Sequence, residues 1–388
     1  MTSQAVTGAR IFDGEKWHDG HALLVEDGKV AGLVPDASLA PGQAVRKAAG
    51  TVIVPGFVDL QVNGGGGVLL DGQSGVGGLE TICRAHARFG TTGLLPTLIT
   101  DTKEGTAATI AAGIEAARSG VPGFLGLHLE GPHLSLARKG AHDPSLIRPM
   151  TDEDLAALIE AQRHLPVLMV TLAPENVTVE QVQALTAGGV RVSLGHTDTD
   201  CRTALAYADA GASLVTHLFN AMSPLGHREP GLVGAALESG SLWTGIIADG
   251  IHVDPVAMRA VLKAKTGPAR IFAVTDAMST IGTDLTSFTL NGRTIERRDG
   301  RLTLADGTLA GADIDMISTV ANLHRSVGLP LEEALRMASL YPAEAIGLDG
   351  AKGGLFAGAD ADFVELTDAL AVAATWIGGR VVFEASSA

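Results

Sequence analysis

The chain has 388 residues, 46% of them apolar, enough to bury a large core without disulfide staples. With 43 acidic against 28 basic residues the formal charge is −15, which excludes a general polyanion binder, because nucleic acid needs a basic stripe to neutralise its phosphates. Cys83 and Cys201 are the only cysteines, so neither a disulfide framework nor a four-cysteine zinc site can form. The opening segment MTSQAVTGAR lacks a charged stretch followed by an apolar one, and no apolar run reaches the roughly 18 residues of a membrane span. A soluble, cytoplasmic protein with neither membrane nor nucleic acid as partner is expected.

In chain order, the first 55 residues carry short apolar runs broken by Asp-Gly turns, as in HALLVEDGKVAGLV, the pattern of β-hairpins. From residue 57 short β runs alternate with Ala-rich helical stretches. Eight buried strands are predicted at 57–63, 93–100, 124–130, 167–175, 191–196, 214–220, 243–250 and 271–276. Helices are predicted over 76–89, 102–119, 151–164, 178–188, 198–210 and 254–265, with Thr151 and Thr178 as N-caps. The segment MSPLGHREPGLVG reads as loop, so the helix between the sixth and seventh strands is expected to be short or absent. Residues 288–311 read as an inserted hairpin, and the last 35 residues return to β runs separated by glycine. Eight βα repeats close naturally into a barrel. The predicted fold is therefore α/β: a (β/α)8 TIM-like barrel over 56–345 and a small β-sandwich built from 1–55 and 346–388. An open doubly wound sheet is the alternative, but no Gly-rich phosphate-binding fingerprint opens a helix after a strand.

Polar residues collect at the predicted strand ends. Glu130 ends the third strand, His196 ends the fifth, His217 lies in the sixth with Asn220 just beyond, and Asp276 ends the eighth. They are 66, 21 and 59 residues apart in sequence, yet a parallel barrel gathers all these ends on one face. Two imidazoles and a carboxylate suit a catalytic Zn²⁺ with one open position, and Fe²⁺ accepts the same set. An ion there lowers the pKa of a water, and a carboxylate not spent on the metal, Asp276, can move protons. Each group also has a structural use: a hydrogen-bonded core histidine, a Glu130–Arg pair, or Asp276 capping a turn. Of the other histidines, His18, His21, His86 and His164 fit no pattern. His128 shares a strand side with Glu130, His133 is expected in an exposed loop, and His142 is expected over the barrel mouth.

The segments PGFVDLQVNGGGG, HLEGPH, KGAHDP, GHTDTD, THLFNAM, HREPG, IADGIHV, VTDAM and GTLAG occur in this order. Together they resemble the N-acetylglucosamine-6-phosphate deacetylases of the amidohydrolase superfamily, from about residue 50 to 345. The resemblance implies a metal-dependent amidohydrolase with one divalent ion per subunit, Zn²⁺ first and Fe²⁺ or another divalent ion as alternatives. It implies Glu130, His196 and His217 as metal ligands and Asp276 as the acid/base. His142, with the backbone of Ala141, matches contacts near the acetamido group, with His142 stabilising the developing oxyanion. Asn220 and Ala221 match a phosphate-binding pair, and Arg228 matches the phosphate-binding arginine, with His227 beside it. Asp249, Gly250, Ile251 and His252 match a further substrate-binding stretch, and Leu309, Ala310 and Gly311 a loop closing over the ligand. A homodimer in which His227 and Arg228 act across the interface is implied. Many amidohydrolases hold a second metal with H-x-H at the end of the first strand. Gln61 and Asn63 stand there instead, and amides are weak ligands, so the chain resembles a single-metal branch. The implied reaction is hydrolysis of N-acetyl-D-glucosamine 6-phosphate to D-glucosamine 6-phosphate and acetate. The alternatives are a deacetylase of the galactosamine epimer, an N-acyl-amino-acid deacylase, or a non-catalytic barrel scaffold.

Overall fold

A computed structural model describes residues 3–386. Eight strands, β1 (Phe57–Val62), β2 (Thr91–Ile99), β3 (Leu127–Glu130), β4 (Leu168–Leu172), β5 (Arg191–Leu194), β6 (Leu214–Val215), β7 (Trp243–Ile247) and β8 (Ile271–Val274), pair in parallel in sequence order. Nearly every residue in them is buried, because helices cover the outside and side chains fill the inside. Except for β3, which ends at Glu130 as predicted, the strands stop short of their predicted C-terminal ends. β6 keeps two residues, and the chain then turns through left-handed conformations at His217, Phe219 and Ala221.

The barrel closes between β1 and β8 through little backbone pairing. Val62 bridges Ala277, and the Asp276 N–H donates to the Gln61 carbonyl at 2.9 Å. Lower in the seam a side chain does the stitching. Asp59, fully buried, accepts the Thr275 hydroxyl at 2.5 Å and the N–H groups of Thr275 and Gln61 at 3.2 Å each.

Helices α1 (Gly75–Ala87), α2 (Lys103–Ser119), α3 (Asp152–Gln162), α4 (Val179–Ala187) and α5 (Cys201–Asp209) follow the first five strands. Thr151 and Thr178 cap α3 and α4 with complete capping boxes, satisfying N–H groups that a helix start leaves unpaired. The helix after β6 is short, as expected: α6 (Gly231–Glu238) has eight residues, but it begins inside the segment read as loop and is buried from Gly231 through Leu237. A helix buried all round carries no amphipathic stripe, which is why its sequence reads as loop. After α7 (Pro255–Ala264) and β8, the expected hairpin is a four-stranded antiparallel sheet: Ser287–Leu290, Arg293–Arg298, Arg301–Thr303 and Leu309–Ala312. Its last strand lies along the segment after β8, where Ala312 N–H donates to the Asp276 carbonyl at 2.9 Å. Arg297 fastens the sheet from the other side, through Asp313 at 2.7 Å. The helices α8 (Met316–Asn322), α9 (Leu331–Ala338) and α10 (Leu340–Ile346) were not predicted.

Strands from both ends of the chain make two further sheets. One contains Ser3–Thr7, His21–Glu26, Lys29–Pro35 and Ala44–Lys47. The other joins Trp17–His18, Arg10–Phe12 and Val52–Pro55 to Phe363–Leu366, Val372–Ile377 and Arg380–Glu384. Their shared core includes Ile11, Leu23 and Ile53 and the stacked rings of Phe363 and Trp376, 4.8 Å apart. The chain enters β1 through Gly56, where a Cβ would lie 2.0 Å from the Thr92 hydroxyl, so only glycine fits. No helix among the described residues is long and apolar enough to cross a membrane.

Candidate active site

Glu130 is the last residue of β3, while His196, His217 and Asp276 each stand two residues past the end of β5, β6 and β8. This corrects the placement of His196 and Asp276 as strand ends and of His217 within a strand. All three have positive φ: 48°, 28° and 52°. For non-glycine residues this backbone costs on the order of 1–3 kcal/mol each and persists only where surrounding structure enforces it. Here it bends three side chains off their strand directions and toward one point.

At that point the Glu130 Oε1 lies 3.1 Å from His196 Nε2 and 3.0 Å from His217 Nε2, and the two imidazole nitrogens are 3.1 Å apart. All three residues are at most 5% exposed. The Arg138 carbonyl accepts from His196 Nδ1 at 2.8 Å, which leaves the Nε2 lone pair facing inward. A carboxylate and an imidazole lone pair pressed together without solvent call for a cation. A tetrahedral ion bound at about 2.0–2.1 Å separates its ligands by about 3.3–3.4 Å, close to the observed triangle. Glu130, His142 and His196 also place ligand atoms within 4.8 Å of one another, but His142 Nε2 is 3.8 Å from the Glu130 Oε2 and stands outside the tight triangle. Burial would raise the Glu130 carboxyl, but the imidazoles of His196 and His217 beside it outweigh that and hold it well below the ordinary range.

Asp276 has two distinct oxygens. Oδ1 accepts from Asn63 Nδ2 at 2.6 Å and from Gln61 Nε2 at 3.1 Å, and the same Gln61 nitrogen lies 3.2 Å from Glu130 Oε1. The two amides therefore brace the carboxylates and leave Asp276 Oδ2 directed at the cavity. Burial, reinforced by the charge of Glu130, pushes the Asp276 carboxyl up to about 6. Asn63 Oδ1 is buried without a protein partner and lines the cavity. His142 Nδ1 faces Thr100, 3.3 Å from its backbone nitrogen and 2.8 Å from its hydroxyl, which turns Nε2 toward Glu130 Oε2 at 3.8 Å. Burial and the neighbouring His196 push its pKa down to about 3, so the ring is neutral.

These groups sit in a cavity of about 410 Å³, a size suited to a small molecule. Asn220, Ala221 and His252 line it, as do Ala141 and the Leu309, Ala310 and Gly311 stretch of the inserted sheet. His252 is aimed by Asp249, whose carboxylate takes His252 Nδ1 at 2.6 Å and the N–H groups of Ile251 and His252 at 2.8 Å each. Asp249, Gly250 and Ile251 themselves do not line the cavity. His227 and Arg228 are exposed and also outside it. His133 is not exposed as expected: it is 2% accessible and bonds the Arg148 carbonyl. His128 lies beneath the site as a neutral core residue between Thr97 and Thr171, its pKa pushed to about 4 by burial. Thr100, the Arg138 carbonyl and Asp59 support the site and went unnoticed in the sequence, where nothing marks a threonine or a carbonyl as a support.

An eight-stranded barrel with a metal-type donor set and a buried carboxylate at its C-terminal face defines a hydrolase of the metal-dependent barrel class. The chain belongs to the amidohydrolase family, whose model matches residues 52–382, while the NagA composite domain matches residues 4–53. It is 41% identical to an N-acetylgalactosamine-6-phosphate deacetylase of Shewanella sp. (strain ANA-3), over 98% of this chain and 96% of that protein. It is 38% identical to the N-acetylglucosamine-6-phosphate deacetylase of Mus musculus, over 99% of this chain and 92% of that protein. The crystal structure of N-acetylglucosamine-6-phosphate deacetylase from Pasteurella multocida superposes with a TM-score of 0.94 at 36% identity, covering 98% of this chain and 99% of that one.

Proposed function

We propose that the protein hydrolyses N-acetyl-D-glucosamine 6-phosphate to D-glucosamine 6-phosphate and acetate. The observation that carries this reading is the Glu130–His196–His217 triangle beside an Asp276 whose Oδ1 is braced and whose Oδ2 is open to the cavity. Those three residues would hold one divalent ion, Zn²⁺ first, which when bound polarises the amide carbonyl and eases deprotonation of a water. Asp276 Oδ2 takes the proton of the attacking water and returns it to the amine nitrogen as the C–N bond breaks. His142 in its Nε2–H form is placed to donate to the developing oxyanion. Asn220, Ala221 and His252 receive the sugar phosphate. Arg228, exposed and outside its own cavity, completes the phosphate site of a second subunit, with His227 beside it, in a homodimer. Residues 56–345 form the catalytic barrel domain, and 1–55 with 346–388 a supporting β-sandwich. A small phosphorylated substrate supports a cytoplasmic location.

The second reading, deacetylation of N-acetyl-D-galactosamine 6-phosphate, is supported by the 41% identity to the Shewanella enzyme. Acetate release from both epimers, measured on protein of known metal content, tests the two together. The first reading requires the larger kcat/KM for the glucosamine epimer and loss of activity on chelation, with recovery on adding Zn²⁺. No acetate from either epimer at full metal loading would refute both.

A further inference from the structure

We propose that Ile99, Ala141, Met278, Leu290 and Ala310 form the acyl-group pocket and set a preference for acetyl over longer acyl chains. This rests on the amide-hydrolysis reading above and deepens it: Ala141 and Ala310, already expected near the ligand, join three further apolar residues in one surface that sets the acyl chain length.

Three members of this wall adjoin the reacting groups. Ile99 stands in register with Glu130 on the neighbouring strand. Met278 follows Asp276 by two residues, and Ala141 precedes His142. All five residues line the cavity. They also belong to one apolar cluster, separate from the main core, in which Met278, Leu290 and Ala310 are at most 2% exposed and Ile99 and Ala141 pack against them. Of the cavity's polar side chains without a part in bond breaking, Asn220 follows β6 and His252 follows β7, while Thr308 stands on the inserted segment next to Leu309. The five wall residues themselves offer no hydroxyl, amide or charged group, and that orients the substrate. A hexose phosphate needs hydrogen-bonding partners for its hydroxyls and phosphate, and burying these against apolar side chains costs free energy. The methyl of an acetamide has nothing to lose there and gains contact.

The wall is also stiff. Gly311 has φ +70°, and a Cβ there would lie 2.5 Å from Met278 Cγ and 3.0 Å from the Asp276 carbonyl. The Ala312 N–H bonds that same carbonyl at 2.9 Å, so the inserted strand is fastened along the Asp276–Met278 segment. On the other side the Arg293 guanidinium donates to the Ala141 carbonyl, tying the inserted sheet to the loop that carries His142. A surface held this closely cannot spread to admit extra methylenes, and one methylene in a fitted apolar pocket changes kcat/KM by roughly 10–200-fold.

The test compares kcat/KM for the N-acetyl, N-propionyl and N-butyryl derivatives of glucosamine 6-phosphate on the metal-loaded protein. The wild type should prefer acetyl by about tenfold or more over propionyl. Leu290→Ala and Met278→Ala should each raise the propionyl-to-acetyl ratio by about tenfold, with the glucosamine-to-galactosamine ratio unmoved. If either truncation unfolds the inserted sheet, Ile99→Ala, at a half-buried strand end, carries the same comparison. A normal acetyl rate with an unmoved chain-length ratio overturns the wall alone. So does a shift in the epimer ratio in its place, which would put the hexose against these residues. Absence of turnover with every N-acyl hexosamine phosphate overturns the reaction reading and the wall with it.

Discussion

Asp59→Asn will make the protein more stable than the wild type at neutral and alkaline pH, and the advantage will shrink as the pH falls. Asp59 lies in the β1–β8 seam with no exposed surface, and burial pushes its carboxyl from the ordinary 3.8 up to about 7. The sign follows from linkage. A carboxyl with a raised pKa in the folded state binds more protons folded than unfolded between those two values, so stability falls as pH rises through that window. The full gap corresponds to about 4 kcal/mol, and the part between about pH 5 and pH 8 to roughly 2–3 kcal/mol. Asparagine removes this slope without losing the stitch. Its Oδ1 can still accept the N–H groups of Gln61 and Thr275, and its Nδ2 can donate to the Thr275 hydroxyl. That hydroxyl then turns to the Gln61 carbonyl, 3.4 Å away. Urea unfolding of both proteins at a fixed metal content, across that pH range, gives the difference directly, because every other titrating group cancels. Parallel stability curves would refute the reasoning, since they would mean that Asp59 is charged in the folded protein throughout.

Asp276→Asn will keep its metal, because its oxygen can still accept from Gln61 and Asn63, but will lose about 10²–10⁴-fold in kcat; near-normal turnover at full metal content would remove Asp276 from proton transfer. Arg228→Ala will raise KM for the phosphorylated substrate far more than for unphosphorylated N-acetylglucosamine, and equal effects on both would sink the phosphate assignment. Gly311→Ala will lower both thermal stability and kcat, because the new methyl meets Met278 and the Asp276 carbonyl at a positive φ; calorimetry and kinetics unchanged from wild type would show the strand free to move.

Much of this architecture is legible in the chain because parallel strands buried on both faces read as apolar runs, and their helices mostly read as amphipathic stretches between them. Thr151 and Thr178 announce α3 and α4 through a purely local arrangement of cap and third residue. The misreadings share a cause. In α6 the period is hidden because every side is buried, and the strand ends at 214–220 look extended because Leu218 and Phe219 are apolar, although the backbone there has left the sheet. Local composition reports burial, and burial does not distinguish a strand from a turn that faces a cavity.

For the site, chemical type and order along the chain were set by the residues alone: a glutamate, two histidines and an aspartate, each near a strand end. His196 and His217 stand out among the 12 histidines in the sequence alone; how their rings meet that glutamate was decided only in three dimensions. The left-handed backbone at His196, His217 and Asp276 aims those side chains, and it is held there by bonds from distant segments. Arg138 lends a carbonyl to His196, and Gln61 and Asn63 brace Asp276 across the barrel seam. The division of Asp276 into a bound and a free oxygen, and the neutral state of His142, depend on neighbours up to 215 residues away in sequence. A sequence can supply a group with the right chemistry. The direction in which it points, and the proton it holds, come from the dielectric and the partners that folding brings to it.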